Sequence, residues 1–150
     1  MTDDYAEDYL DNCVVLDTDA ASRLYKARRL PAEFIEDMAG LQTAITFATI
    51  GEMTAWAVYH GWGPKAQKEL RRWLSTHHKL GVGESVAECW GHLAAAERHR
   101  GRSIQENDTW IAACCITRGL PLATLNRRDF VGFASHHGLG LIGEERGQEA

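Results

Sequence analysis

Three acidic residues share a setting that could do chemistry together. Asp17 directly follows the apolar run Val14-Val15-Leu16, Glu52 comes just past Ile45-Thr46-Phe47-Ala48-Thr49-Ile50-Gly51, and Asp108 opens the apolar stretch Trp110-Ile111-Ala112-Ala113. A fourth polar cluster, Asn126-Arg127-Arg128-Asp129, follows Leu122-Ala123-Thr124-Leu125. If these acids converge they repel: two carboxylates at ~4 Å and an effective dielectric of about 20 oppose each other by about 4 kcal/mol. A divalent cation is the natural remedy. Oxygen-only ligands in modest number favour Mg²⁺ or Mn²⁺, which keep water positions open and accept substrate phosphates. Such an ion activates water and neutralises charge on a phosphodiester. Nuclease chemistry follows more readily than ester or peptide hydrolysis, because no Ser-His or Cys-His nucleophile pattern is evident.

Each acid also has a local structural reading. Thr49-x-x-Glu52 matches a capping box, in which the glutamate reaches back to the helix's first amide, and Asn126-x-x-Asp129 is a looser version of the same device. Asp17 suits the cap of a helix after its strand, and Asp108 suits a first helical turn, where the macrodipole favours an anion. Taken singly, a cap is the simpler reading of every one. The functional case rests on several acids occupying equivalent places in separate units.

The elements that must position them alternate. Cys13-Val14-Val15-Leu16 reads as a strand buried on both faces. A helix from Asp19 to about Arg29 follows, then a second that Pro31 opens and that runs through Phe34, Ile35 and Met38 to Gly40. Gln42–Thr46 is the second strand. Thr49 starts a helix through Met53, Trp56 and Tyr59, broken at Gly61-Trp62-Gly63-Pro64, and the next helix runs from Pro64 to about His77. Leu80-Gly81-Val82-Gly83 is a candidate third strand. A long amphipathic helix spans Glu84 to Arg100, and Asp108 lies at the head of a helix that Gly119 stops. Leu120–Thr124 is a fourth strand, a short helix follows Asn126, and Leu139–Ile142 is a last strand. Strand alternating with helix implies a three-layer α/β/α domain with a mainly parallel central sheet of four to five strands. Ligands in such sheets bind beyond the carboxyl ends of the strands at the topological switch point, which places Asp17, Glu52 and the Asn126–Asp129 cluster at one edge.

The chain of 150 residues, with four cysteines and a formal charge of −5, reads as one domain over residues 13–142, between an acidic lead-in at 1–12 and a polar tail at 143–150. The acidic start Met1-Thr2-Asp3-Asp4-Tyr5 is unlike a secretory leader, and no apolar run approaches the ~20 residues of a membrane span. Both point to a cytoplasmic protein that keeps clear of membranes. Cys13, Cys89, Cys114 and Cys115 lie in apolar segments without a Cys-x-x-Cys pair, and so read as reduced core residues. The doublets His77-His78 and His136-His137 suit the surface or turns, since adjacent side chains on a helix chelate poorly. The negative net charge argues against nucleic-acid binding by bulk electrostatics, yet Arg100, Arg102, Arg127 and Arg128 flank the acids, where they read equally as solvated surface charges or as contacts to RNA phosphates. Trp90 and Trp110 are spaced as core residues. Trp56, Trp62 and Trp73 lie in the helical pair between the second and third strands, where an exposed apolar patch would mark an interface.

Taken in order, Val14–Thr18, Ile45–Glu52, Asn107–Ala113 and Leu122–Phe130 resemble the four motifs of PIN-domain ribonucleases of the VapC toxin type, over roughly residues 13 to 142. The resemblance implies a compact α/β/α fold, Mg²⁺- or Mn²⁺-dependent endoribonuclease activity, and toxicity restrained by a small antitoxin partner in bacteria, with a homodimer as the expected assembly. Carried onto this chain, it makes Asp17 and Asp108 the principal metal ligands, and Glu52 the acid that binds metal through water or orients the attacking water. Many relatives carry an acid where this chain has Asn126, so either Asn126 holds a metal-bound water or Asp129 supplies the fourth charge. The lead-in is longer than the family pattern. Losing one acid keeps open an alternative, a non-catalytic PIN-like module that binds RNA or protein. A phosphoacceptor receiver domain would need a lysine beyond a late strand, and Lys26, Lys65, Lys68 and Lys79 all precede the last two strands.

Overall fold

Strand β1 (Cys13–Leu16) is buried along its whole length, as a continuous apolar run requires when both sheet faces are covered. Around it the computed structural model describes residues 12–26 and 30–142. The acidic lead-in through residue 11, the end of the expected first helix at 27–29 and the polar tail at 143–150 lie outside the described residues.

Helices α1 (Thr18–Tyr25) and α2 (Ala32–Met38) follow, then strand β2 (Gln42–Thr46). Helix α3 (Phe47–Tyr59) starts directly from β2, with Thr46 as its cap and the Thr49 amide donating to the Thr46 hydroxyl at 3.4 Å. This corrects the expected start at Thr49. The helix begins two residues earlier, so Glu52 sits in its second turn, outside the reach of a capping box. Helix α4 (Pro64–Leu74) stops short of His77, and strand β3 (His78–Leu80) lies before the expected Leu80–Gly83 segment. The histidines hide this strand from a hydrophobic pattern: His77 Nδ1 meets the Thr43 hydroxyl at 2.6 Å and His78 Nε2 meets Gln42 Oε1 at 2.5 Å, polar partners along β2.

The second half matches expectation more closely. Helix α5 (Glu84–His99) leads to α6 (Glu106–Arg118), whose C-terminal Gly119 takes a left-handed φ of 66°, a conformation glycine enters freely. Strand β4 (Leu122–Ala123) and strand β5 (Leu141–Ile142) are shorter than expected, and helix α7 (Arg127–His137), 11 residues long, is not a short one.

The five strands form one parallel sheet in the order β3-β2-β1-β4-β5. The chain builds outward from β1 on one side and returns to β1's other side at β4, so the switch point lies between β1 and β4. Side chains alternate across β1: Cys13 and Val15 join a core with α5, α6 and α7, whereas Val14 and Leu16 join a core with α1, α2, α3 and α4. These two cores make the three layers. Cys13, Cys114 and Cys115 are buried, Cys89 is half-buried, and all four are free. Trp90 and Trp110 stack on each other at 5.1 Å and are only partly buried against the first core, so they border it where sequence spacing put them inside. Among the described residues no helix is long and apolar enough to cross a membrane.

Candidate active site at the switch point

Parallel pairing of β1 with β4, with Leu16 opposite Ala123, brings Asp17 beside Thr124 one residue beyond each strand. The Asp17 carboxylate is buried, 3% exposed. It accepts the Ala20 amide at 2.9 Å, as the cap of α1, and the Thr124 hydroxyl at 2.5 Å. The capping reading of Asp17 therefore holds, and the same carboxylate is tied to the end of β4. Burial drives its pKa up to about 6, and the two hydrogen bonds only partly oppose this, while Asp19 and Asp108 push the same way.

Glu52, half-buried on α3, accepts the Thr18 hydroxyl at 2.7 Å, and Thr18 in turn lies 3.0 Å from the Thr49 hydroxyl. Asp108 is the third residue of α6, whose cap Gln105 makes no side-chain bond. Burial raises the Asp108 pKa to about 6, with the charges of Asp129 and Glu52 adding to it. A cavity of about 360 Å³ is lined by Asp17, Glu52, Asp108 and Asn126 together, and beyond them by Tyr25, Trp56 and Trp62. Asp129 is exposed on the first turn of α7; it lines a neighbouring cavity of about 240 Å³, which Asp108 shares. Asn126 caps α7 without a side-chain bond, through its carbonyl, which accepts the Asp129 amide at 2.9 Å.

Sequence reasoning missed Thr18, Thr49 and Thr124, the hydroxyls that orient two of the acids. Thr49 and Thr124 are buried, at 0% and 1% exposure. A threonine directly beyond an apolar strand and two residues before a helix cap was the available signal for Thr124, whose oxygen also accepts the Asn126 amide at 2.9 Å. Of the flanking arginines, Arg102 and Arg128 line the smaller cavity, Arg100 lies 3.0 Å from His137 Nε2, and Arg127 is half-buried. The aromatic patch is narrower than expected. Trp62 and Trp73 pack against Tyr25 at 6.2 and 5.1 Å and are half-buried, leaving Trp56 37% exposed under Lys26.

Among the described residues no three His, Cys, Asp or Glu side chains form a group able to hold an ion as they stand. Two of the acids are instead turned to hydroxyl donors, Asp17 to Thr124 and Glu52 to Thr18. The donor set nevertheless suits a hard divalent cation: all oxygen, with two carboxyls raised to about 6 by burial and by neighbouring acids.

The family model described as "PIN domain" matches residues 14–134. A curated relative, Ribonuclease VapC4 of Mycobacterium tuberculosis (strain ATCC 25618 / H37Rv), is 32% identical over 92 residues, covering 57% of this chain and 68% of the relative. Among solved structures, VapBC-1 from nontypeable Haemophilus influenzae superposes with a TM-score of 0.73 at 23% identity, over 87% of this chain and 97% of that one. VapBC-5 from Mycobacterium tuberculosis gives 0.64 at 24% identity, over 88% and 98%. VapBC2 from Rickettsia felis, bound to a DNA fragment from its promoter, gives 0.69 at 19% identity, over 86% and 96%.

Proposed function

This chain belongs to the PIN domain family, and on that premise we propose that it is a metal-dependent endoribonuclease acting as the toxin of a toxin–antitoxin pair. The observation that carries this reading is the meeting of Asp17, Glu52 and Asp108 on one cavity, with the Asp17 and Asp108 carboxyls both raised to about 6. Cap residues scattered for helix stability alone have no reason to face one another. Excess negative charge in a half-closed site is what Mg²⁺ or Mn²⁺ would relieve.

Asp17 and Asp108 would hold the ion, with Glu52 directly or through water, and Asn126 or Asp129 completing the set. When bound, the ion supplies an activated water and neutralises charge on the phosphodiester. The chain's own residues do the positioning. Thr124 and the Ala20 amide fix the Asp17 carboxylate, and Thr18 holds Glu52 against the same cavity. Asp108 lines both cavities, so an RNA strand held in either would lie beside it. The relative named as a ribonuclease and the solved VapBC neighbours support the nuclease and toxin parts of the reading. A small antitoxin and a second copy of the chain are the proposed protein partners, with the α3–α4 surface around Trp56 as the place for one of them.

The test is cleavage of RNA by purified protein with Mg²⁺ or Mn²⁺. EDTA, Asp17→Asn and Asp108→Asn each abolish cutting while circular dichroism stays unchanged. Full activity in either variant refutes the assigned roles. The second reading, a non-catalytic RNA- or protein-binding module, is favoured by Asn126 standing where an acid is expected. Calorimetric titration of Mg²⁺ or Mn²⁺ followed by the cleavage assay separates the two, since this module leaves RNA intact at saturating metal.

A further inference from the structure

Glu97, near the end of α5, is 6% exposed, an unusual place for a carboxylate on a helix whose other charges are solvated. Burying a carboxylate costs several kcal/mol unless partners compensate it. Its partners are two arginines and a histidine whose pKa burial and Arg100 lower. Glu97 Oε2 lies 3.8 Å from Arg102 Nε, and Oε1 lies 3.8 Å from both Arg100 Nη2 and His137 Nε2. None of these distances is a hydrogen bond, so the cluster is a poor device for stability alone.

What it achieves is placement. With its Nε side toward Glu97, the Arg102 guanidinium lies across helix α7 at Gly132, where a Cβ would meet Arg102 Nη1 at 2.6 Å and Glu97 Oε2 at 3.5 Å. The arginine side chain is 51% exposed, and it lines the smaller cavity together with Arg128, Asp108 and Asp129. Arg100 and Arg102 share the one carboxylate of Glu97, which cannot balance both charges. Of the three acids on the cavity wall, Glu97 faces the arginines, and Asp108 and Asp129 belong to the set proposed to hold a divalent ion. A guanidinium fork next to the acids proposed to hold the ion suits a phosphate, which it can grip with two parallel N–H bonds.

From this juxtaposition of a buried Glu97, the glycine gap at Gly132 and the cavity shared through Asp108, we infer that Arg102, with Arg128, seats a backbone phosphate of the RNA next to the one being cut. The inference rests on the ribonuclease reading above and deepens it. Arg102 is a substrate-binding residue here, and Glu97 is the positioning residue that aims it.

The experiment compares wild type, Arg102→Ala, Arg102→Lys and Gly132→Ala on a fluorogenic single-stranded RNA of random sequence, with kcat and KM resolved across a salt series. Arg102→Ala raises KM about tenfold with kcat little changed, the effect of losing one charge-assisted contact. It also flattens the salt dependence of kcat/KM by about 0.7 in log–log slope, one phosphate's worth on a single strand. Arg102→Lys restores the salt slope but only part of KM, because a lysine has charge without the fork. Gly132→Ala, which leaves every charge in place and displaces only the flexible end of Arg102, moves KM in the same direction. Unchanged KM and salt slope in Arg102→Ala, with the fold intact, overturn the inference while leaving the ribonuclease reading untouched. If wild type binds a labelled single-stranded RNA without cutting it, the same variants are read by fluorescence anisotropy, and the same slope change decides. Wild type that neither cuts nor binds RNA defeats both.

Discussion

Replacing Asp17 by asparagine should make the metal-free protein more stable, although it destroys the site. Folding lifts the Asp17 carboxyl from its ordinary 3.8 to about 6, and at roughly 1.4 kcal/mol per pH unit this is a penalty of about 3 kcal/mol on the charged form. The sign follows from proton counts. Below 3.8 both folded and unfolded chains hold the proton and no penalty exists. Between 3.8 and about 6 only the folded chain keeps it, so stability falls as pH rises, and above about 6 the full penalty stands. The neutral amide of Asp17→Asn would escape the penalty, its oxygen accepting the Ala20 amide as the aspartate does. It would face Thr124 with a weaker, neutral hydrogen bond, losing about 1 kcal/mol. The expected net gain at pH 8 is therefore about 2 kcal/mol, vanishing or reversing at pH 4. Urea unfolding of both proteins in EDTA, from pH 4 to 8, reads it directly. A difference between the two that does not change with pH would refute the account of Asp17 as a carboxylate charged against its surroundings. Added Mg²⁺ should stabilise wild type and leave the variant where it was.

Two smaller perturbations probe the support of the site. Thr18→Val removes the hydroxyl that holds Glu52 at 2.7 Å; cleavage should fall by about tenfold or more while stability drops by only about 1 kcal/mol, measured by initial rates and urea midpoints. Gly119→Ala meets no atom within 4 Å but must hold φ at 66°; it should cost about 1 to 2 kcal/mol, with activity retained, by the same unfolding assay.

Legibility in the sequence followed the physics of each element. Strand β1 was plain because burial on both faces demands an unbroken apolar run, and α6 was plain because Asp108 and Gly119 mark its two ends. Strand β3 was misplaced because an edge strand with one neighbour tolerates His78, and its partner there is a side chain of β2 rather than the core. Asp17 and Glu52 could be found from their place after strands, and Asp108 from the head of its helix. Their hydroxyl donors could not be matched to them, since Thr18 with Glu52 and Thr124 with Asp17 are paired by the sheet across 34 and 107 residues. Glu97 escaped for a similar reason. A glutamate among alanines and arginines on a helix reads as solvent-facing until α7 is laid over it.

The span between Asp17 and Thr124 also governs when the protein becomes dangerous to its maker. An enzyme that cuts RNA is synthesised on a machine made of RNA. Here β1 precedes its partner β4 and the Asn126 cap by roughly a hundred residues, so it is translated well before them. The parallel order of the sheet thus leaves Asp17 without Thr124 on a nascent chain, and pairings this distant in sequence are slow to form. By delaying closure of its switch point, the topology would withhold the Asp17–Thr124 contact until the late strands have been made.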